Sequence, residues 1–249
     1  MIALVRSEWL KVRTTRGWYA YLAVTILLVG IAVAGDVGSS DDERRSSLDF
    51  QLGLVDAAAF ASLLAVIVGI TIITSEFRHG TITPTLLAEP RRELVVAGKA
   101  VTAVLVSLLF ALLGLAIAAA VGLPWLSAVG AEIQVGGEIG TRALQVLLVT
   151  ALWALIGLAV GVLVQSQIAA LVGTLIWIFL GETLLIGVFG LLDIDGAAPY
   201  LPFQALDAAD GSGGADDMLS YWAGVGVSLA WIVILGATGT ERLRRRDVT

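Results

Sequence analysis

The chain has 249 residues, of which 58% are hydrophobic and only 14% charged, with a formal net charge of −6. A soluble domain carries roughly 25% charged residues, so this composition and a mean hydropathy of +0.93 exclude an ordinary water-soluble fold and point to a polytopic α-helical membrane protein. There is no cysteine and a single histidine, which removes disulfides, iron–sulfur clusters and thiolate zinc sites from consideration.

Residues 1–16 predict an amphipathic interfacial helix, with Ile2, Val5, Trp9 and Val12 on one face and Arg6 and Arg13 on another. Such a helix lies in the membrane plane with tryptophan at headgroup level and arginines reaching phosphates. Six apolar runs follow, at 18–34, 51–73, 100–123, 143–164, 168–191 and 221–239. Their lengths suit the roughly 20 residues that cross a bilayer as helix, and none alternates in the manner of membrane barrel strands. The expected fold is all-α, a single six-span membrane domain occupying 1–249. Ala32-Val33-Ala34 has the small-residue pattern of a cleavage site, but the basic segment before it is long and patterned, so the first run is expected to stay as a span.

The connections differ in character. The stretch 35–49 is polar and Gly/Ser-rich, the one after the third run is turn-rich, and runs four and five are joined only by Gln165-Ser166-Gln167. The last, 192–219, encloses "PYLPFQAL" between acidic flanks. Two prolines with Tyr200, Leu201 and Phe203 have two readings: short segments dipping toward the membrane, or an interfacial anchor.

Lysine and arginine set the orientation. The N-terminus holds Arg6, Lys11, Arg13 and Arg16, the loop after span two Arg78, Arg91, Arg92 and Lys99, and the C-terminus Arg242, Arg244, Arg245 and Arg246; the other side receives Arg44, Arg45 and Arg142. Both termini are thus expected to be cytoplasmic in a multi-pass plasma-membrane protein. The acids gather outside, at Asp36, Asp41, Asp42, Glu43, Asp49, Glu132, Glu138, Asp193, Asp195, Asp207, Asp210, Asp216 and Asp217. Basic clusters at helix ends are topology signals, and no nucleic-acid partner is expected.

Most membrane-enzyme chemistry lacks its parts. His79 and the "GSGG" of 211–214 fall on opposite sides, so a serine–histidine pair cannot form. No cluster has metal-ligand character. "AGKA" at 97–100 has the Gly-Lys of a phosphate loop but neither the earlier glycine nor the following Ser/Thr, so no nucleotide or other cofactor is expected on this chain. Asp56 and Glu182 are the acids within the runs; such carboxylates face protein or water. They either line a translocation path, pair with a cation, or, for Asp56, sit at the interface.

The most polar long segment between spans is "TSEFRHGTITPTLLAEPRREL", 74–94. Gly80 can end the helix of span two, Thr81 or Thr83 can cap a new short helix with Pro84 in its first turn, and Pro90 stops it. Phe77, Ile82, Leu86 and Leu87 read as apolar knobs ringed by Glu76, Arg78, His79, Arg91 and Arg92, with Thr85 in the same loop, and exposed apolar residues rimmed by charge mark a docking site; the other reading is an interfacial helix resting on lipid.

This segment, through Lys99, resembles the cytoplasmic loop of ABC-2 type ABC transporter permeases, above all in "EFRHGTI". The likeness extends to the basic N-terminal helix, the six spans and the "PYLPFQAL" element. It implies that 81–88 is a coupling helix seated on a separate ATP-binding subunit through the loop 75–98, and that 200–206, with Tyr200, Leu201, Pro202 and Phe203, belongs to an outer gate. It also implies a second permease copy, ATP and magnesium on the partner subunit, and export as the direction. Two other readings stand beside it: an ion-coupled carrier using Glu182, and a stand-alone membrane protein docking some other partner.

Overall fold

The computed structural model describes residues 2–15, 17–134, 136–211 and 219–245. Arg16, Arg246, Asp216, Asp217 and the Ser212-Gly213-Gly214 of the "GSGG" stretch lie outside the described residues. Among those described, every regular element is helical. Helix α1 (Ile2–Thr14) precedes α2 (Gly17–Ser39), a short α3 (Asp42–Arg45), and α4 (Leu48–Asp56), which continues through one 3-10 turn into α5 (Phe60–Arg78). After α6 (Ile82–Ala88) come α7 (Arg92–Ala128) and α8 (Gly137–Val164). Helices α9 (Gln167–Ile176) and α10 (Glu182–Leu191) are joined by a π-helical turn, and α11 (Pro202–Asp210) leads to α12 (Tyr221–Arg244).

Six of these units are long and apolar enough to span a membrane: α2, α4–α5, α7, α8, α9–α10 and α12. They match the six apolar runs, but extend past most of them. Helix α7 begins at Arg92, eight residues before the run at 100–123, because "RELVVAGK" is itself helical and buries Val95 and Lys99. Its 37 residues include Pro124 near the far end. Six crossings place α1, α6, the link at 165–166 and the end of α12 together, with α3, the end of α7 and α11 at the opposite end. Bonds within each end agree: Arg92 donates to the Leu243 carbonyl, while Gln51 Nε2 donates to the Glu132 carbonyl at 2.7 Å.

Spans α4–α5 and α8 are the most enclosed, and α9–α10 the least. Lipid tails are as apolar as leucine, so helix association inside a bilayer relies on close packing and interhelical hydrogen bonds. The α5–α8 contact has both. A Cβ on Gly157 would lie 2.2 Å from the Val66 carbonyl oxygen, and one on Gly69 2.0 Å from that of Ala154, so any side chain there forces the helices apart. The hydroxyls of Ser62 and Thr150, 3.0 Å apart, bond across the same seam. The GxxxG pair at 157–161 therefore faces α5.

Candidate functional site: the charged loop and a helix held by Glu182

The loop after α5 is shaped by local rules. Gly80 has φ +69°, and the Thr81 N–H reaches the Glu76 carbonyl at 2.9 Å, the six-to-one bond of a glycine-terminated helix. His79 Nδ1 lies 2.8 Å from the Ser75 carbonyl. Thr81 occupies the position before α6, but its side chain makes no cap; Thr85 Oγ1 instead donates to the Thr81 carbonyl at 3.0 Å. Pro84 is in the first turn and Pro90 lies beyond the end, as expected.

The knobs do not point where the sequence suggested. Ile82 (7% exposed) and Leu86 (6%) are one helical turn apart and sink into the chain's own core beside Ile72, Ile73, Val95 and Leu243, with Phe77 packed on the same cluster. Leu87, 71% exposed, is the large apolar side chain of α6 that projects, beside the exposed Pro84 and Ala88. The expectation of Phe77, Ile82 and Leu86 as outward knobs is corrected: they fasten α6 to α5 and α7. Of the rim, Arg91 pairs with Glu89 (Nε to Oε1, 3.0 Å), and that hydrogen bond holds Glu89 below the usual carboxylate range. Arg92 ties the loop to the last turn of α12, and Arg78 reaches Gln167 Oε1 at 3.4 Å.

Glu76 is not part of a solvated rim. It is buried with Glu8 of α1 and Lys99 of α7. Lys99 Nζ donates to Glu8 Oε2 at 2.7 Å, to Glu76 Oε1 at 2.8 Å and to the Ile72 carbonyl at 3.3 Å. Lys11 closes the ring, 2.6 Å from Glu8 Oε1 and 2.5 Å from Glu76 Oε1. Two carboxylates and two ammonium groups thus form a neutral cluster joining α1, α5 and α7. Burial would lower the pKa of Lys11, but hydrogen bonds to Glu76 and Glu8, and their charges, outweigh it and raise the value above the ordinary lysine range. The sequence reading assigned Lys99 and Lys11 to topology and gave Glu8 no role. The signal was there: a lysine inside "VVAGKAVTAV" needs a carboxylate, and Glu8 and Glu76 are on the same side.

At the opposite end, two turns of 3-10 helix (Asp195–Tyr200) precede α11. Leu201, before its first turn, has no side chain able to accept from the free N–H groups. Glu182 supplies the acceptor from another helix: Oε1 takes the Phe203 N–H at 2.8 Å and Trp177 Nε1–H at 3.1 Å, and Oε2 takes the Gln204 N–H at 3.0 Å. A carboxylate there satisfies two orphan donors and opposes the positive end of the helix. Phe203 is buried against Trp153, ring centroids 5.1 Å apart, whereas Tyr200 is exposed and its carbonyl accepts from Trp231 Nε1 at 2.9 Å. Asp207 is exposed on one side, yet partial desolvation by the protein around it, then the charges of Asp210 and Glu182, push its carboxyl up to about 6. Asp56 pairs with Arg142 of α8. The two acids read together as pathway candidates are thus separately engaged, Asp56 with a guanidinium and Glu182 with α11.

A family model described as "ABC-2 family transporter protein" matches residues 4–181. The chain belongs to this family. No characterised protein matches it closely enough to add a relative. The matched region runs from α1 to the end of the π turn, so this ABC-2 family transporter protein carries the loop, α6 and the Glu8–Lys11–Glu76–Lys99 cluster inside the family match, while α11 and α12 follow it. The family is that of a membrane component of ABC transporters, distinct from their ATPase. Among the described residues no three His, Cys, Asp or Glu gather as a metal site.

Proposed function

We propose that this chain is one of two permease subunits of an ATP-driven exporter in the plasma membrane, with both termini cytoplasmic. ATP and magnesium reside on a separate ATP-binding subunit, which docks on the loop 75–98. The observation that supports this most is α6 itself. A seven-residue helix is too short to hold its shape alone; here Ile82 and Leu86 anchor it from beneath and leave Leu87 projecting, which suits a rigid knob for another protein's cleft. Arg91 and Glu89 flank it as a charged rim. The apolar flank of α9–α10, where Ile176, Phe179, Leu184 and Leu191 are exposed, offers a face for the second permease copy. The Tyr200–Phe203 segment serves as the outer gate, held by Glu182.

The test compares two neighbouring positions. Leu87→Asp places a carboxylate in a desolvated cleft of the partner, a cost of several kcal/mol, and should abolish co-purification of an ATP-binding subunit and substrate-stimulated ATPase activity with the permease still inserted and monodisperse. Leu86→Asp should instead destabilise the permease itself. A Leu87→Asp protein that retains the partner and full stimulated activity would refute α6 as the coupling helix. Tagged protein from its native membrane that brings no ATPase at any stoichiometry would refute the partner.

A further inference from the structure

We propose that the groove between α1, α2 and α7 is a binding site for one anionic phospholipid of the adjoining leaflet, with an acyl chain in the groove and the phosphate on Arg13. The groove has a volume of about 300 Å³ and is walled by Trp9 and Val12 of α1, Trp18 and Leu22 of α2, and Leu109 and Phe110 of α7. Leu109 and Trp9 are among the exposed apolar residues, so the opening faces the medium that surrounds the spans. A hydrocarbon chain matches such a lining, and a tryptophan at its mouth is the residue type that settles at headgroup level.

Charge selects the headgroup. Among the described residues, Arg13 is the one charged residue lining the groove. It is exposed and, among the described residues, carries no ion pair. Helix α1 has a single acid, Glu8, and that acid is turned away into the cluster with Lys11 and Lys99. Arg6 and Arg13 follow one another at helical spacing on the flank next to Trp9, so the border of the groove on α1 is cationic and aromatic with no carboxylate in it. A zwitterionic lipid brings an ammonium group that finds no acceptor there; an anionic lipid brings a phosphate and nothing to repel. Each arginine close to a membrane surface contributes about a fivefold preference for anionic lipid. The proposal depends neither on the ATPase partner nor on which face is cytoplasmic.

Native mass spectrometry of the detergent-purified chain, titrated with dioleoyl phosphatidylglycerol or dioleoyl phosphatidylcholine, tests it. We expect one phosphatidylglycerol retained per chain at concentrations where phosphatidylcholine is lost, and no displacement by inorganic phosphate. Arg13→Gln, at an exposed position, should lower phosphatidylglycerol retention about fivefold and leave phosphatidylcholine unchanged. Leu109→Trp, filling the groove, should remove the retained lipid with the thermal midpoint of the protein unaltered. Equal retention of the two lipids by the wild type, undiminished phosphatidylglycerol in Arg13→Gln, or displacement by phosphate would each overturn it.

Discussion

Lys99 is wholly buried and held by two carboxylates at 2.7 and 2.8 Å. At an effective dielectric constant of about 20, each such contact is worth roughly 6 kcal/mol of Coulomb attraction, most of which is spent on removing the charges from water. The net value emerges only when one partner is removed. Lys99→Met leaves Glu8 and Glu76 facing Lys11 alone, with Glu76 Oε2 already without a hydrogen-bond partner; breaking a buried pair in this way costs about 3–5 kcal/mol. Glu76→Gln leaves the opposite excess and should cost about 2–3 kcal/mol, since the amide oxygen still accepts. The double variant retains the neutral Glu8–Lys11 pair. It should be less harmed than the two single losses added together, by about 2–3 kcal/mol of coupling. The assay is the half-life and thermal midpoint of the purified chain in mild detergent, measured for all four proteins. A double variant whose loss equals the sum of the singles would show that the charges do not act as one unit and would refute the neutral-cluster reasoning. Because the Lys11 pKa is raised, its contribution is fully present below the ordinary lysine value and lost only as pH climbs through the higher folded value, so the part Lys11 plays should persist throughout the neutral range.

Glu182→Gln removes the charge that opposes the α11 dipole and should lower stability by about 1–2 kcal/mol while raising solute leak through reconstituted vesicles; an unchanged midpoint and leak would remove Glu182 as the fastening of α11. Phe203→Ala should cost about 3–5 kcal/mol through the cavity left against Trp153, whereas Tyr200→Ala should stay within about 0.5 kcal/mol, and equal losses in thermal denaturation would contradict the inward and outward assignments. Asp207 is pushed up to about 6, so its stabilising effect is complete below the unfolded value near 3.8 and disappears as pH rises through the folded one; Asp207→Asn should therefore be the more stable protein at about pH 7.5, with the advantage gone by about pH 4 in parallel melts. Gly157→Ala should weaken the α5–α8 seam enough to lower the thermal midpoint, because no rotamer can relieve a Cβ against the Val66 backbone.

The spans were legible because a twenty-residue apolar run has few other uses, and the loop's ends were legible because Gly80 and Pro90 act through backbone geometry alone. The directions of side chains on α6 were not. Ile82, Leu86 and Leu87 are all apolar, and a seven-residue helix is too short for its periodicity to say which side meets the core. The sequence reading chose the solvent face for all of them; packing against Val95 and Leu243 chose otherwise for two. Glu8 was overlooked for a different reason. The stripe Ile2, Val5, Trp9 and Val12 looked like the functional face of α1, yet Ile2 and Trp9 remain exposed and the opposite stripe, with Leu4 against Gly98 and Glu8 on Lys99, fastens the helix. Charge pairing between distant segments leaves no local pattern. It can be inferred only by asking where a lysine inside an apolar helix finds its counter-charge.

The π turn between α9 and α10 is a change of phase in span five. In an α-helix successive residues are offset by about 100°, and a π turn takes one residue more than an α turn. Everything beyond Gly181 is consequently rotated by about that angle from where uninterrupted winding would carry it. Glu182 is the first residue after the change, and Trp177, whose ring lies over Gly181, is the first within it. Deleting one residue from 177–181 would leave the span apolar and long enough to cross, yet turn the carboxylate roughly a quarter of the way round the helix from the α11 backbone it serves. Whether this acid is fastened or stranded inside the membrane is thus settled by the winding of its own helix, and the length of a five-residue turn sets the orientation of an element twenty residues downstream.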